Sequence, residues 1–207
     1  MLELSLPEIA ESLPDDDTFP RWYVVPPEEI GREGGPWASA MAELLAAVYF
    51  EADPVTGYRE LLERFGRAVA KESVQPFDQR LFYLPFGAVS GLIVDVVTVE
   101  APPSTPRELV QRNLLGLNRD HAVEEIDDGK DNIGFCYFHV GSGESHRLEG
   151  HRGEVIPKSA SFWCVHRRLI EGSLVDIVAT ASSVDLELAA LGYHTYRELI
   201  LDPDLYR

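Results

Sequence analysis

Apolar residues along this chain change period several times, and each change marks an element. From Pro36, the residues Trp37, Met41, Leu44, Leu45 and Val48 recur at helical spacing, which predicts a helix with proline in its first turn, where the missing N–H is not needed. Asp53-Pro54 reads as its end, because the residue before proline is pushed out of the α region. A second helix is predicted from Tyr58 to about Lys71, with Leu61, Leu62, Phe65 and Val69 on one face and Glu60, Glu63, Arg64 and Arg67 opposite. The pattern then turns strand-like. Arg80 to Pro85 and Leu92 to Val99 read as an antiparallel pair.

Ala101-Pro102-Pro103-Ser104-Thr105-Pro106 breaks that strand, and Ser104 or Thr105 can cap a third helix with Leu109, Val110, Leu114 and Leu115 inward. Asp127-Asp128-Gly129 is a turn signal. Beyond it come a strand from Ile133 to Val140, a polar loop or hairpin from Gly141 to Gly153, and a hairpin from Ser161 to Thr180. Two short helical patterns, Val184–Leu191 and Thr195–Leu201, close the chain. Helices followed by neighbouring strands, without βαβ alternation, predict an α+β fold: a mainly antiparallel sheet packed with helices.

Residues 1–35 stand apart from this pattern. They hold nine acidic residues against Arg21 and Arg32, and prolines and glycines punctuate them throughout. Trp22-Tyr23-Val24-Val25 is their one strongly apolar patch. The segment reads as an acidic extended arm that lies on the domain through that patch, with residues 36–207 forming a single α+β domain.

Charge narrows the choice of partner. The chain of 207 residues carries a formal net charge of −17, from 35 acidic and 18 basic residues. Such an excess repels phosphate backbones and anionic lipid, which argues against nucleic acid and membrane surfaces; it is compatible with a basic protein partner and equally with a plainly solvated acidic surface. Homo-oligomerisation stays open. No apolar run approaches the ~18 residues that span a bilayer, and the first residues lack the basic and apolar regions of a signal peptide, so the chain as given reads as cytoplasmic. Cys136 and Cys164, the two cysteines, lie in apolar strand-like runs; core filling is the default, with a disulfide if their strands are neighbours.

Candidate chemistry begins at the hairpin. A two-residue Glu171-Gly172 turn sets Leu169 opposite Leu174, Arg167 opposite Asp176 and Val165 opposite Val178. Arg167 and Asp176 then share a face with Trp163, either as a structural ion pair or as an anchored arginine lining a pocket for an anionic group. Asp95 and Asp176 sit in matching contexts, Ile-Val-Asp-Val-Val and Leu-Val-Asp-Ile-Val, as two acids on the wet face of a sheet or as an acid/base couple. His146 and His151, among Glu144, Glu149 and Glu154, do not follow zinc spacing, and Asp127 to Asn132 lacks the spacing of a calcium loop. Cys164 and His166 share a strand face, but residues two apart on a strand are separated by nearly 7 Å at the backbone, and a buried neutral thiol is the simpler reading. Neither a nucleophile elbow nor a phosphate-binding loop occurs, and no cofactor or metal is implied.

The run Thr105-Pro106-Arg107-Glu108-Leu109-Val110-Gln111-Arg112-Asn113-Leu114, then Ile133–Val140, then the hairpin ending Glu171-Gly172-Ser173-Leu174-Val175-Asp176-Ile177-Val178-Ala179-Thr180, resembles the C-terminal half of PsbP-like domains over residues 105–181. The helices at 36–71 depart from that family's pattern. The resemblance implies an α/β/α sandwich used for binding and assembly, with no catalytic residues to carry over.

Three functions follow as expectations. The first is a non-enzymatic interaction module (adaptor, assembly factor or immunity-type inhibitor) binding a basic partner, with Asp15, Asp16, Asp17, Trp22, Tyr23, Glu28 and Glu29 of the arm as recognition residues. The second is a small-ligand-binding or enzymatic domain with a pocket between sheet and helices, where Arg167, Asp176 and Asp95 would be the polar determinants. The third is a structural subunit of a larger complex.

Overall fold

The structure is a computed structural model that describes residues 22–32, 35–70, 77–85, 90–101, 104, 106, 116, 123–127, 133–143, 146–147, 154–170 and 172–201. Among these, α-helices span Pro36–Tyr49 (α1), Pro54–Ala70 (α2) and Leu186–Leu201 (α3). The strands are Trp22–Val25 (β1), Gln79–Tyr83 (β2), Leu92–Glu100 (β3), Glu124–Asp127 (β4), Ile133–Ser142 (β5), His146–Arg147 (β6), Glu154–Val155 (β7), Lys158–Ile170 (β8) and Ser173–Ser183 (β9). Seven strands form one sheet in the order β1-β2-β3-β9-β8-β5-β4, and β6 pairs with β7 apart from it. The fold is α+β with a mainly antiparallel sheet. Two compact units divide at Asp95/Val96, within β3.

In the first unit β1 pairs antiparallel with β2, setting Tyr23 against Phe82 and Val25 against Arg80. The patch expected to hold the arm down is therefore a sheet strand. Its alternate residues Tyr23 and Val25 are buried, as a period of two on a half-covered sheet requires. Phe65 of α2 lies at the centre of this core. Its ring meets Tyr23, Trp37 and Phe82 edge-on at centroid distances of 5.2, 5.4 and 5.4 Å, the geometry that aligns ring edges with π-faces.

The helical hairpin corrects one expectation. Asp53-Pro54 does not merely stop α1; it starts α2, four residues before the predicted start at Tyr58. Asp53 Oδ1 accepts the Thr56 N–H at 3.2 Å, an N-cap, and Pro54 follows at the first helical position. Those hydrogen bonds to Thr56 hold the Asp53 carboxyl below its usual range. At the other end of α2, carbonyls without an intrahelical partner find two donors: Gly31 N–H reaches Val69 O at 2.7 Å and Arg80 Nη1 reaches Ala68 O at 3.3 Å.

In the second unit β8 and β9 form the hairpin expected from Glu171-Gly172. Gly172 has φ 84°, a conformation that suits glycine in a tight turn. Leu169↔Leu174, Arg167↔Asp176 and Val165↔Val178 are all observed, and β5 and then β4 extend the sheet antiparallel. On one face of this sheet, Phe138 and Phe162 pack on Tyr193 of α3, and Phe162 also on Tyr196. Where two short helices were expected, α3 is continuous. Asp185 caps it by accepting the Leu188 N–H at 3.0 Å, and buried Gly192 lies within it. Arg168 donates to Ile200 O in its last turn. The helix predicted after Thr105 lies outside the described residues.

Candidate functional site

Arg167 and Asp176 are directly opposed on β8 and β9, and their side chains meet as a two-pronged pair. Nε donates to Oδ1 and Nη2 to Oδ2, both at 2.8 Å. Both groups are largely shielded, with side-chain exposures of 14% for the arginine and 5% for the aspartate. The hydrogen bonds from Asp176, more than its charge, raise the guanidinium above its usual value, so this arginine stays charged at any physiological pH.

Register alone places further residues on this face. Cross-strand partners share a face, so Phe135 lies with Val165 and Val178, while Tyr137 lies with Trp163 and Thr180. Phe135, Val165 and Val178 form a buried apolar cluster. Next to it runs a row of rings: Trp163 and Tyr137 stack at 5.5 Å with planes 24° apart, and Tyr137 and His139 at 6.1 Å with planes 15° apart. Tyr137 Oη and His139 Nδ1 are 3.3 Å apart. The rings of Trp163 and Tyr137 are half-buried and His139 is exposed, so the row offers partly open π-faces on the face that also carries the ion pair, with the Phe135–Val165–Val178 layer between the two. Such a surface can hold a planar or apolar group by stacking. Asp176 is held on both oxygens and does not offer a free base.

Asp95 belongs to the first unit. Its carboxylate accepts from Arg80 Nε at 2.7 Å and Nη2 at 3.3 Å. The Arg80 guanidinium also lies 4.6 Å from the centre of the Phe77 ring, and the residue is fully buried. Each of the two matching acids is therefore bound to its own arginine. Sequence reasoning found Asp95 but not its partner, although an arginine heading the apolar run Arg-Leu-Phe-Tyr-Leu is a visible anomaly.

Cys136 and Cys164 are opposed on β5 and β8 with Cα atoms 4.2 Å apart, and they form a disulfide. This corrects the reading of Cys164 as a buried thiol: strand adjacency brought its partner directly across. His166, the other half of the considered dyad, is buried on the α3-facing side of β8. Burial first, and Arg168 second, push its pKa down to about 3, so it is neutral. Among the described residues no three His, Cys, Asp or Glu side chains gather as a metal site. His151 lies outside the described residues, as do Glu144 and Glu149.

The arm residues separate into two groups. Tyr23 lies in the core and Glu29 is buried, so neither presents its side chain outward; alternation along β1 would have indicated Tyr23, while Glu29 lies beyond that strand in the turn Pro27–Glu29. Trp22 is half-buried with its ring 4.7 Å from that of Tyr83, and Glu28 is exposed. Asp15, Asp16 and Asp17 lie outside the described residues. Among the described residues, no helix is long and apolar enough to cross a membrane. Compared with known proteins, the chain matches no family model, no curated protein and no solved structure.

Proposed function

We propose that this protein is a non-enzymatic interaction module that binds a basic protein partner through its acidic exterior. One observation carries the reading: Asp95 and Asp176 are each bound to an arginine inside the protein, while Glu28, Glu43, Glu51, Glu100 and Glu125 are exposed in a chain of charge −17. Exposed like charges raise the local concentration of a cationic partner over about a Debye length, ~8 Å at physiological ionic strength. The resemblance of residues 105–181 to PsbP-like domains, which implies binding and assembly, supports the same reading. The arm contributes Asp15, Asp16, Asp17 and Glu28, while Tyr23 and Glu29 fasten its end to the core. The Cys136–Cys164 bond favours an oxidising compartment over the cytoplasm suggested by the sequence.

Capture from native lysate, followed by identification of the bound proteins, tests this. The full chain should enrich basic proteins at low salt and release them at high salt. A chain starting at Trp22, which keeps β1, should capture less. Equal capture by both chains with the same salt response would remove the arm from recognition, and absence of basic proteins would remove the reading itself.

A second reading, a small-ligand-binding face, is favoured by the Trp163–Tyr137–His139 row and Arg167 lying on one face of the sheet. Quenching of tryptophan fluorescence by a planar anionic ligand, lost on Arg167→Leu, would support it over the first.

A further inference from the structure

The two helices of the first unit treat solvent differently. The outward side of α2 carries Arg59, Glu60, Glu63 and Arg67, with Glu60–Arg64 and Glu63–Arg67 paired one turn apart. That is an ordinary wet helix face. The inward stripe of α1 is Trp37, Ala38, Met41, Ala42, Leu45 and Ala46. Its outward stripe is Ala40, Glu43, Leu44, Ala47 and Val48, again at helical spacing. Leu44 is 53% exposed and Val48 52%, and Glu43 is the only charged residue in the helix. Scattered exposed apolar residues are normal, but a helix that is apolar all round is expected to be covered all round.

We propose that this outward stripe of α1 is a docking face for a basic amphipathic helix of a protein partner. The inference rests on the basic-partner reading above and assigns it a surface. Leu44 and Val48, one turn apart, would take the apolar anchors of the incoming helix, as in helix-in-groove recognition. Glu43 within the stripe, and the exposed Glu51 and Asp53 just beyond the end of α1, would face its lysines and arginines. Charge complementarity selects this occupant over a second copy of the chain. A copy would bring a second chain of charge −17 to the interface and set Glu43 against its own kind.

The probe is a labelled synthetic helix of leucine and lysine at helical spacing, compared with a leucine–glutamate counterpart, with affinity read by anisotropy. The intact protein should bind the lysine peptide and not the glutamate peptide. Leu44→Ser with Val48→Ser, exposed positions whose change leaves the core intact, should weaken binding by about tenfold or more. Glu43→Gln should weaken it less and flatten its salt dependence. Glu60→Gln with Glu63→Gln on α2 removes more charge and should change affinity by less than about twofold. If the serine variant binds as the parent does, this face is not the dock, while the basic-partner reading survives. If the parent binds neither peptide, both fall. A parent dimer that the serine variant converts to monomer would assign the stripe to a second copy and overturn the proposal.

Discussion

Both units hold a buried arginine that reaches from a strand to a carbonyl near a helix C-terminus, yet the two arginines have different neighbours. Arg80 reaches Ala68 O of α2 and is also gripped by Asp95. Arg168 reaches Ile200 O of α3 and lies near His166, which burial keeps uncharged. The carboxylate pair of the second unit, Arg167–Asp176, is on the other face of β8, the face that carries the ring row. In the first unit one guanidinium both pairs with a carboxylate and anchors a helix end, whereas in the second Arg167 makes the Asp176 pair and Arg168, on the opposite face, reaches the helix. The paired arginine is fully buried in the first unit and 14% exposed in the second, while Asp95 at 18% is more exposed than Asp176 at 5%.

The largest effect should come from the pair whose arginine is fully buried. Asp95→Asn leaves Arg80 buried without its counter-charge and should cost about 3–5 kcal/mol in urea unfolding, with much of the loss recovered when both residues are replaced by apolar ones of similar volume. A cost below ~1 kcal/mol would mean that water reaches Arg80, and the contrast with Arg167 would fail.

Acid should expose the second unit. Folded His166 takes a proton only near pH 3, while the unfolded imidazole takes one near 6.5. Between these values the unfolded chain binds more protons, so this group's stability is fully present above about pH 6.5 and declines as pH falls. His166→Gln should therefore retain roughly 2 kcal/mol more of its own neutral-pH stability at about pH 5 than the parent retains. Parallel acid curves for the two proteins would show that His166 is not the sensitive group.

Asp176→Asn should cost less than Asp95→Asn, about 1–2 kcal/mol, because Arg167 has some access to water. Equal costs would erase the distinction between a fully buried and a partly exposed arginine. At the bottom of the scale, Glu63→Gln removes an exposed one-turn pair of α2 and should shift stability by only about 0.3–0.5 kcal/mol.

Much of the second unit was legible because its constraints are local. A two-residue turn fixes register, and register alone opposed Arg167 to Asp176. Asp95 was legible as an anomaly but its partner was not: the connection between β2 and β3 is longer, and no turn type fixes which residue of β2 meets it. The ring row needed the pairing of β5 with β8, which no short turn specifies. Asp53-Pro54 was ambiguous in principle, since one dipeptide can end one helix and cap the next. β1 and β4, with four residues each, are too short for a period to stand out from the acidic segments around them.

The Cys136–Cys164 bond closes a ring of chain with a sequence separation of 28, and β6, β7 and the polar segment between β5 and β8 all lie inside it. A protease that cuts this ring once, anywhere between Ser142 and Lys158, therefore cannot release either piece. The nicked molecule keeps its mass and migrates as one band until a reductant divides it in two. A cut in this polar stretch therefore leaves the molecule in one covalent piece, and the cut protein retains both strands that frame its ring row.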